Sequence, residues 1–398
     1  MHSIAAVLVT MLWLGLPGLT QALPTPETWT AAAKSAPAPA AISLKAPDGI
    51  SLKATYFSPG RSGPAILLLH QCNRDRSAWT SLATEAASRG FHVLALDFCG
   101  YGESEGTRFK SFQEQQPTIE QKWPGDVDAA FAWLVAQEGV DRSRIGVVGA
   151  SCGVSQAILA ARRHPEVKTV VLLSGGATSG GRDYLKQAAA MPVFAAASRG
   201  DGDAVNTMRW VLGWSRNPAN KFVEFKAAGH GTDMLAAEKR LQPAILDWLD
   251  RYVRNPPAAT PVAAAWPTKP TAVEEFWTLL TSPGGLDRAY QLYDVERRRN
   301  PKGVLFPESE MNAYGYQRLQ GGHPEEAIAI FRMNVDAYPR SANTYDSLAD
   351  AYLAAGKRPE ALAAAQKALK VLGDDKSLPA EFRALVRESI EKKIRELQ

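Results

Sequence analysis

The stretch Arg144–Arg163 constrains the fold more than any other part of the chain, because it combines a buried strand, an abrupt turn and a helix. β-Branched residues at positions 145, 147 and 148 are typical of a strand. The alanine- and leucine-rich run from Val154 to Arg163 contains no Gly or Pro and favours a helix. The turn between them reads Gly-Ala-Ser-Cys-Gly, so Ser151 lies where the strand becomes a helix.

The Gly-x-Ser-x-Gly spacing at such a turn is the pattern of a nucleophile elbow, in which a strained turn exposes the serine hydroxyl above a sheet. Small residues are needed two positions to either side, and Gly149 and Gly153 meet that need. With three fixed positions the pattern also arises by chance. The alternative is a glycine-rich turn that only allows a helix to pack closely on a strand.

The chain has 398 residues, enough for two folded units. Its net charge is +4 and its basic residues are spread along the chain, which argues against a nucleic-acid partner. Residues 1–22 hold an apolar run that ends in Thr20-Gln21-Ala22, which predicts a secretory signal peptide; an uncleaved anchor is the alternative. We therefore expect a periplasmic or secreted protein with no transmembrane segment after signal cleavage.

An extended tail is predicted at 23–40, and strands and helices alternate from 41 to 254. A leading hairpin around Pro47-Asp48-Gly49 precedes repeated strand–helix units. We count eight strands, with the Ser151 turn after the fifth, and one closing helix over Leu235–Val253. This order predicts an α/β fold with a mainly parallel sheet and helices on both faces.

The Pro/Ala-rich segment 255–272 predicts a linker, and residues 273–398 are helical with an internal repeat. Four residues recur 34 positions later: Leu319, Gly322, Glu326 and Ala327 as Leu353, Gly356, Glu360 and Ala361. That is the tetratricopeptide (TPR) period, so we predict a separable all-α TPR-like domain that could bind a protein partner.

Residues 42–254 resemble the α/β-hydrolase fold and, within it, the dienelactone-hydrolase-like serine esterases. The resemblance is carried by LLLHQC, LALDFCGYGES, GASCG and AGHGTD, which follow the third, fourth, fifth and eighth strands. Two positions depart from it: dienelactone hydrolases have Cys at the position of Ser151, and relatives have Arg at that of Cys99. The helical tail resembles the TPR-like tails of some serine hydrolases. In this fold the third and fourth strands are neighbours, so Cys72 and Cys99, which follow them, could form a disulfide.

A serine nucleophile needs a base within hydrogen-bond reach and an acid that orients the base. Of six histidines, only His230 follows a final strand in a glycine-flanked loop; the alternative is a loop histidine that caps a helix. The acid should follow the seventh strand, where Asp201 is favoured over Asp203, which is better placed to cap the next helix. Alternatively, both aspartates are only loop and capping residues.

Backbone N–H groups of Cys152 and Gln71 are the predicted oxyanion donors, and no role is expected for the Gln71 side chain. The Cys152 thiol is a rival nucleophile, one residue from the apex of the turn. No cofactor or metal is implied. The sequence thus predicts a serine hydrolase acting on a small-molecule carboxylic ester. An amidase or peptidase with the same triad, or a TPR-based scaffold with an inert hydrolase domain, are the alternatives.

Overall fold

One eight-stranded sheet forms the centre of the computed structural model, which describes residues 37–107, 118–258, 270–301, 303–374 and 380–398. The strand order is β1-β2-β4-β3-β5-β6-β7-β8. β1 and β2 pair antiparallel, β2 pairs antiparallel with β4, and all other neighbours are parallel. The strands are β1 (Ala40–Lys45), β2 (Ser51–Phe57), β3 (Gly63–Leu69), β4 (His92–Asp97), β5 (Val140–Ala150), β6 (Val167–Leu173), β7 (Val193–Ser198) and β8 (Lys221–Phe225).

The predicted α/β class, with eight strands and the Ser151 turn after the fifth, is confirmed. β4 is buried at every residue and β3 at all but its first, as expected of strands covered on both faces. β1 is mostly exposed and β2 alternates between buried and partly exposed residues, which fits the edge of the sheet. The parallel strands share one carboxyl edge, where loops from separate parts of the sequence can meet.

Helices cover both faces of the sheet. The helices of this part are α1 (Thr80–Ser88), α2 (Trp123–Val135), α3 (Cys152–Arg163), α4 (Ser179–Gln187), α5 (Ala204–Gly213), α6 (Asp233–Ala237) and α7 (Leu241–Leu249). Residues of α1 and α7 share one apolar core with strand residues such as Ile66 and Val148. Residues of α2, α3 and α5 share a second core with their strand neighbours Leu67 and Val147.

The single closing helix predicted over Leu235–Val253 is wrong. The structure has α6, a turn, α7 and one π-helical turn at Asp250–Arg254. The break occurs at Glu238, whose backbone is extended (φ −120°, ψ 92°). Pro243 lies in the first turn of α7, where a missing N–H is tolerated. The apolar spacing alone did not mark this break.

The C-terminal residues form antiparallel helical hairpins. They comprise α8 (Ala272–Thr281), α9 (Leu286–Arg299), α10 (Glu308–Gln320), α11 (Pro324–Ala337), α12 (Ala342–Ala354), α13 (Arg358–Leu372) and α14 (Ala380–Leu397). The 34-residue repeat places Gly322 and Gly356 in matching turns with φ of +80° and +74°. Their N–H groups donate to Leu319 O and Leu353 O at 3.1 and 3.0 Å. The repeat is therefore a repeat of structure, whereas its TPR identity stays a prediction.

The apolar core continues from the sheet into the helical region. Trp277 of α8 packs on Trp210 of α5, with ring centroids 5.7 Å apart. Glu274, fully buried, forms an ion pair with Arg216 at 2.9 Å. The Thr271 hydroxyl, which caps α8, donates to Gly213 O at 2.8 Å. The helical region is thus joined to the sheet by apolar, ionic and hydrogen-bonded contacts.

The predicted signal peptide, most of the extended tail and most of the predicted linker lie outside the described residues. Within the described ranges, no helix is both long and apolar enough to cross a membrane.

Candidate active site

Ser151 occupies a strained turn between β5 and α3. Its backbone has φ 50° and ψ −115°, a region that residues with a side chain rarely adopt. The Ser151 N–H donates to Leu173 O at 2.8 Å, and the Ser151 carbonyl accepts from Val154 N–H at 2.9 Å. Such strain is retained only where the surrounding structure imposes it, and here both sides of the turn are hydrogen-bonded.

Glycines let three backbone segments meet at this turn. A Cβ atom at Gly149 would overlap the Gly153 carbonyl oxygen, and one at Gly175 would overlap the Ser151 carbonyl oxygen. A Cβ at Gly153 would overlap Leu69 O and lie 2.9 Å from His70 O. The start of α3 therefore lies directly against the carboxyl end of β3. This explains in physical terms why the pattern needs small residues around the serine.

His230 and Asp201 are brought together from the loops after β8 and β7. The distance from His230 Nδ1 to Asp201 Oδ2 is 2.7 Å, a hydrogen bond in which the ring nitrogen donates to the carboxylate. The His230 side chain is 36% exposed and that of Asp201 is 17% exposed. The aspartate is thus the more enclosed partner, and the imidazole is partly exposed to solvent.

Asp203 has different partners. It occupies the N-cap position of α5, as predicted, but its side chain makes no capping hydrogen bond. It accepts instead from Asn206 Nδ2 at 2.7 Å and from the Glu308 N–H, in the first turn of α10, at 3.2 Å. Burial raises the pKa of Asp203 to about 7. Asp203 therefore contacts the helical region, while Asp201 contacts the histidine.

The Gln71 side chain anchors the histidine loop, so the expectation that it has no role is wrong. Its Oε1 accepts from the Thr232 N–H at 2.6 Å and from the Thr232 hydroxyl at 2.8 Å. Its Nε2 donates to Asn73 Oδ1 at 2.8 Å. Gly231 (φ +56°) passes so close that a Cβ there would overlap Gln71 Oε1 and lie 3.4 Å from the Ala150 Cβ. The loops that carry Gln71, Ser151 and His230 are therefore in mutual contact.

His70 is fully buried directly after β3 and contacts the residue that follows β4. Its Nδ1 lies 2.8 Å from Gln71 O, and its Nε2 lies 3.2 Å from the Phe98 N–H. These two contacts fit one neutral tautomer, with the proton on Nδ1 and Nε2 as acceptor. Burial lowers the pKa of His70, which keeps the ring neutral. The dipeptide His-Gln after a buried strand was the available signal, because a buried histidine must find two partners.

The cysteine pairing expected from the resemblance is wrong. Cys72 forms a disulfide with Cys152, with a Cα–Cα distance of 5.6 Å, and Cys99 is free and buried. β3 and β4 are neighbours as expected, but Cys99 N–H donates to Asp126 Oδ2 at 2.9 Å. Burial raises the pKa of the Cys99 thiol to about 12. A half-cystine has no free thiolate, so Cys152 is excluded as the rival nucleophile in this state.

The disulfide connects the loop that carries Gln71 to the start of α3. Cys152 is the first residue of α3, where helical N–H groups have no intrahelical acceptor. An α-helix N-terminus also favours negative charge through its dipole. This place can therefore hold an oxyanion. Among the described residues, no group of three or more His, Cys, Asp or Glu side chains is arranged to hold a metal ion.

Residues 48–269, just over half of the chain, match the X-Pro dipeptidyl-peptidase family, S15. The chain belongs to the S15 family. The match covers β2 to β8 and the helices packed on them, but not β1. The family is named for peptidases rather than for the dienelactone hydrolases that the motifs resemble. The S15 match ends before α8, so the helical region is outside it.

Curated relatives of this S15-family chain align with part of it. Protein MT2364 of Mycobacterium tuberculosis, named as uncharacterized, is 32% identical over 165 residues, 41% of this chain and 55% of the relative. Thiohydrolase aneE of Aspergillus aculeatus is 30% identical over 125 residues, 31% of this chain and 37% of that protein. The chain thus spans about half of these relatives, or less. A solved dienelactone hydrolase from Anabaena variabilis has 18% identity and a TM-score of 0.44, and covers 54% of this chain and 98% of its own.

Proposed function

We propose that the protein is a serine hydrolase that cleaves a carboxylic ester through an acyl-enzyme, with Ser151 as nucleophile, His230 as base and then acid, and Asp201 as the orienting group. The observation that carries the proposal is the 2.7 Å hydrogen bond between His230 and Asp201. It is supported by the strained turn at Ser151, φ 50°, whose neighbour Ala150 lies against Gly231 of the histidine loop. Chain order Ser, Asp, His is that of this hydrolase fold.

In the first half-reaction, the Ser151 hydroxyl attacks the ester carbonyl carbon while His230 Nε2 takes the hydroxyl proton. The tetrahedral intermediate then expels the alcohol, which receives that proton from His230. In the second half, water attacks the acyl-enzyme, His230 again moves the proton, and the carboxylic acid leaves. Asp201 accepts the Nδ1–H bond, so it fixes the tautomer that leaves Nε2 free to act.

Charge on the carbonyl oxygen would be stabilised by the backbone N–H groups of Gln71 and Cys152. Three observations support this assignment: the position of Cys152 at the start of α3, the disulfide between the two segments, and the contact of Gly153 with the end of β3. No step of this route requires a cofactor.

Peptide bonds are the second candidate substrate, and the observation that favours them is membership of a family named for X-Pro dipeptidyl-peptidases. The same triad can cleave an amide if His230 protonates the leaving nitrogen. The thiohydrolase among the relatives favours acyl chemistry on esters or thioesters. Turnover of an ester and of an amide with comparable leaving groups distinguishes the two candidate substrates.

The decisive experiment labels the full-length protein with a fluorophosphonate probe and compares turnover of p-nitrophenyl acetate with that of an Xaa-Pro p-nitroanilide. We expect an adduct on Ser151 and faster turnover of the ester, with no adduct on Ser151→Ala. Faster turnover of the anilide would replace the ester proposal by the peptidase. A folded protein without any adduct would favour a scaffold whose helical repeats bind a partner.

We also propose that the protein acts in the periplasm or outside the cell. The Cys72–Cys152 disulfide supports this location, since disulfides persist in oxidising compartments. The intact mass of protein recovered from cell fractions tests it: a mature chain that begins at Leu23 is expected in the periplasm or medium. Recovery of the full-length chain from the cytosol alone would contradict it.

A further inference from the structure

The one disulfide among the described residues connects the two backbone segments that the proposed function uses to stabilise an oxyanion: the loop after β3 and the start of α3. Cys152 itself carries one predicted donor N–H and directly follows Ser151. Cys72 directly follows Gln71, which carries the other. Both half-cystines are partly exposed. A covalent bond thus joins the backbone segments whose separation sets the geometry of the hole.

Hydrogen bonds hold the loop around Gln71 from other directions. His70 accepts from the N–H of Phe98, the residue that follows β4. The Gln71 side chain accepts from the Thr232 N–H in the histidine loop. Within the loop itself, the Arg74 N–H donates to Gln71 O at 3.1 Å. The disulfide is the covalent connection from this loop to α3.

We propose that the Cys72–Cys152 disulfide is a redox-sensitive positioning element for the oxyanion hole: oxidised, it fixes the spacing of the two donor segments, and reduced, it lets them separate. This inference rests on the proposed serine-hydrolase function. Catalytic hydrogen bonds depend steeply on geometry, and a displacement of about 1 Å can lower a rate about a hundredfold. Because the donors act on charge that develops in the transition state, loss of alignment should lower kcat more than it changes KM.

The redox step needs a dithiol reductant. Its thiolate attacks one sulfur of the disulfide, the protein S–S bond breaks, and a mixed disulfide forms. The second thiol of the reductant then closes to a cyclic disulfide, so the protein gains two electrons and two protons as two thiols. Ser151, His230 and Asp201 are not altered, which means that re-oxidation should restore activity.

The test uses the full-length protein and p-nitrophenyl acetate before and after dithiothreitol, with thiol titration at each stage. The matched control is the double variant Cys72→Ser/Cys152→Ser, which keeps Cys99. We expect reduction to lower the wild-type kcat about tenfold to a hundredfold, with KM changed by less than about threefold. Affinity for a trifluoromethyl ketone, whose adduct carries the oxyanion, should fall by a similar factor to kcat. The double variant should be slow in both conditions.

Fully reduced wild type with unchanged kcat, or a folded double variant as fast as oxidised wild type, would overturn the proposal. Circular dichroism is recorded on the same samples, and reduction that unfolds the protein would also overturn it, because the disulfide would then serve the fold alone. If the double variant does not fold, the kcat of the wild type after reduction and again after re-oxidation tests the proposal. Fluorophosphonate labelling separates the two proposals: an oxidised protein with no Ser151 adduct refutes the hydrolase, whereas labelling with redox-independent turnover refutes only the disulfide.

Discussion

At the scale of single residues, Ser151, His230 and Asp201 should contribute unequally to turnover. Ser151→Ala and His230→Ala are each expected to lower kcat about a millionfold, since nucleophile and base act as one unit. Asp201→Asn should cost less, about ten-thousandfold, because the aspartate orients the ring and accepts its Nδ1–H at 2.7 Å. Asp203→Asn is the matched control two residues away. The measurement is steady-state kinetics on p-nitrophenyl acetate. A larger loss of kcat in Asp203→Asn than in Asp201→Asn would make Asp203 the orienting acid.

Gln71 offers a second prediction at this scale. Gln71→Ala removes the acceptor of the buried Thr232 N–H and hydroxyl, which should lower the free energy of unfolding by about 1–3 kcal/mol. It should also lower kcat, because Thr232 lies two residues after His230. Asn73→Ala is the control, since Asn73 is exposed and bonds only the amide nitrogen of Gln71 among the contacts described. The free energy of unfolding is measured by urea denaturation, and kcat by ester turnover. Equal losses in Gln71→Ala and Asn73→Ala would contradict an anchoring role for the Gln71 side chain.

The residues of the candidate site were predicted from their order along the chain, and the contacts between them were not. Gly-x-Ser-x-Gly and the glycine-flanked His230 are local patterns with a local physical cause, so sequence reasoning could find them. The disulfide depends on which loops meet in space. Cys72 follows β3 and lies beside the helix after β5, its other parallel neighbour, and no spacing distinguishes that pairing from one with Cys99.

At the scale of elements, the histidine loop depends on Gly231. Both Gly229 and Gly231 have positive φ, +81° and +56°, so alanine at either position is strained. Gly231→Ala would in addition overlap Gln71 Oε1, whereas a Cβ at Gly229 would lie 3.2 Å from the Asp233 Cβ. We expect Gly231→Ala to lower both Tm and kcat more than Gly229→Ala does. Equal losses, measured by thermal unfolding and ester turnover, would indicate that only backbone strain matters.

Strands were predictable where a short apolar run lies between turn residues. The runs within β3, β4 and β7 are five residues or fewer and are rich in branched residues or alanine, which favours strands covered on both faces. The break between α6 and α7 was missed, because the apolar spacing continues through it. Pro243 was the available signal, since proline is tolerated in the first turn of a helix but not in the interior of the single helix predicted there.

At the scale of the whole molecule, the stability of the fold should depend on pH through Asp203. Its folded pKa, about 7, exceeds its ordinary value of 3.8 because the carboxyl is buried and lies near Glu308. Between about pH 4 and pH 7 the folded state therefore binds more protons than the unfolded state, and the free energy of unfolding should fall as pH rises through that window. Asp126, whose pKa burial raises to about 6, acts in the same direction.

Asp203→Asn should reduce this slope, since an amide does not titrate. The measurement is urea denaturation of the wild type and the variant at pH 5, 6, 7 and 8. The slope is compared rather than the absolute stability, because Asn also changes the bonds to Asn206 and Glu308. An identical slope in both proteins would assign the pH dependence to other groups.

Removal of the helical region is the change for which sequence and structure give opposite expectations. The proline-rich linker suggested that residues 41–254 would fold alone. In the structure, Arg182 lies over the Trp210 and Trp277 rings at 5.0 and 5.9 Å and 3.6 Å from Glu310. Val273, Phe276 and Trp277 share one core with the sheet. The linker composition could not predict this interface, because the apolar residues that form it lie outside the linker.

A chain ending at Pro257 should therefore be insoluble or lack cooperative unfolding. Loss of a buried Phe or Trp side chain destabilises by about 3–5 kcal/mol, and a whole domain is stable by only about 5–15 kcal/mol. The matched control ends at residue 374, which removes α14 and keeps the α5–α8 interface; it should stay folded and active with a lower Tm. The two truncated chains are compared in their solubility and size by gel filtration, in their Tm by thermal unfolding, and in their kcat by ester turnover. If the shorter chain unfolds cooperatively with wild-type kcat, the sheet is stable without its helical partner, and packing of α8 on Trp210 of α5 is dispensable to it.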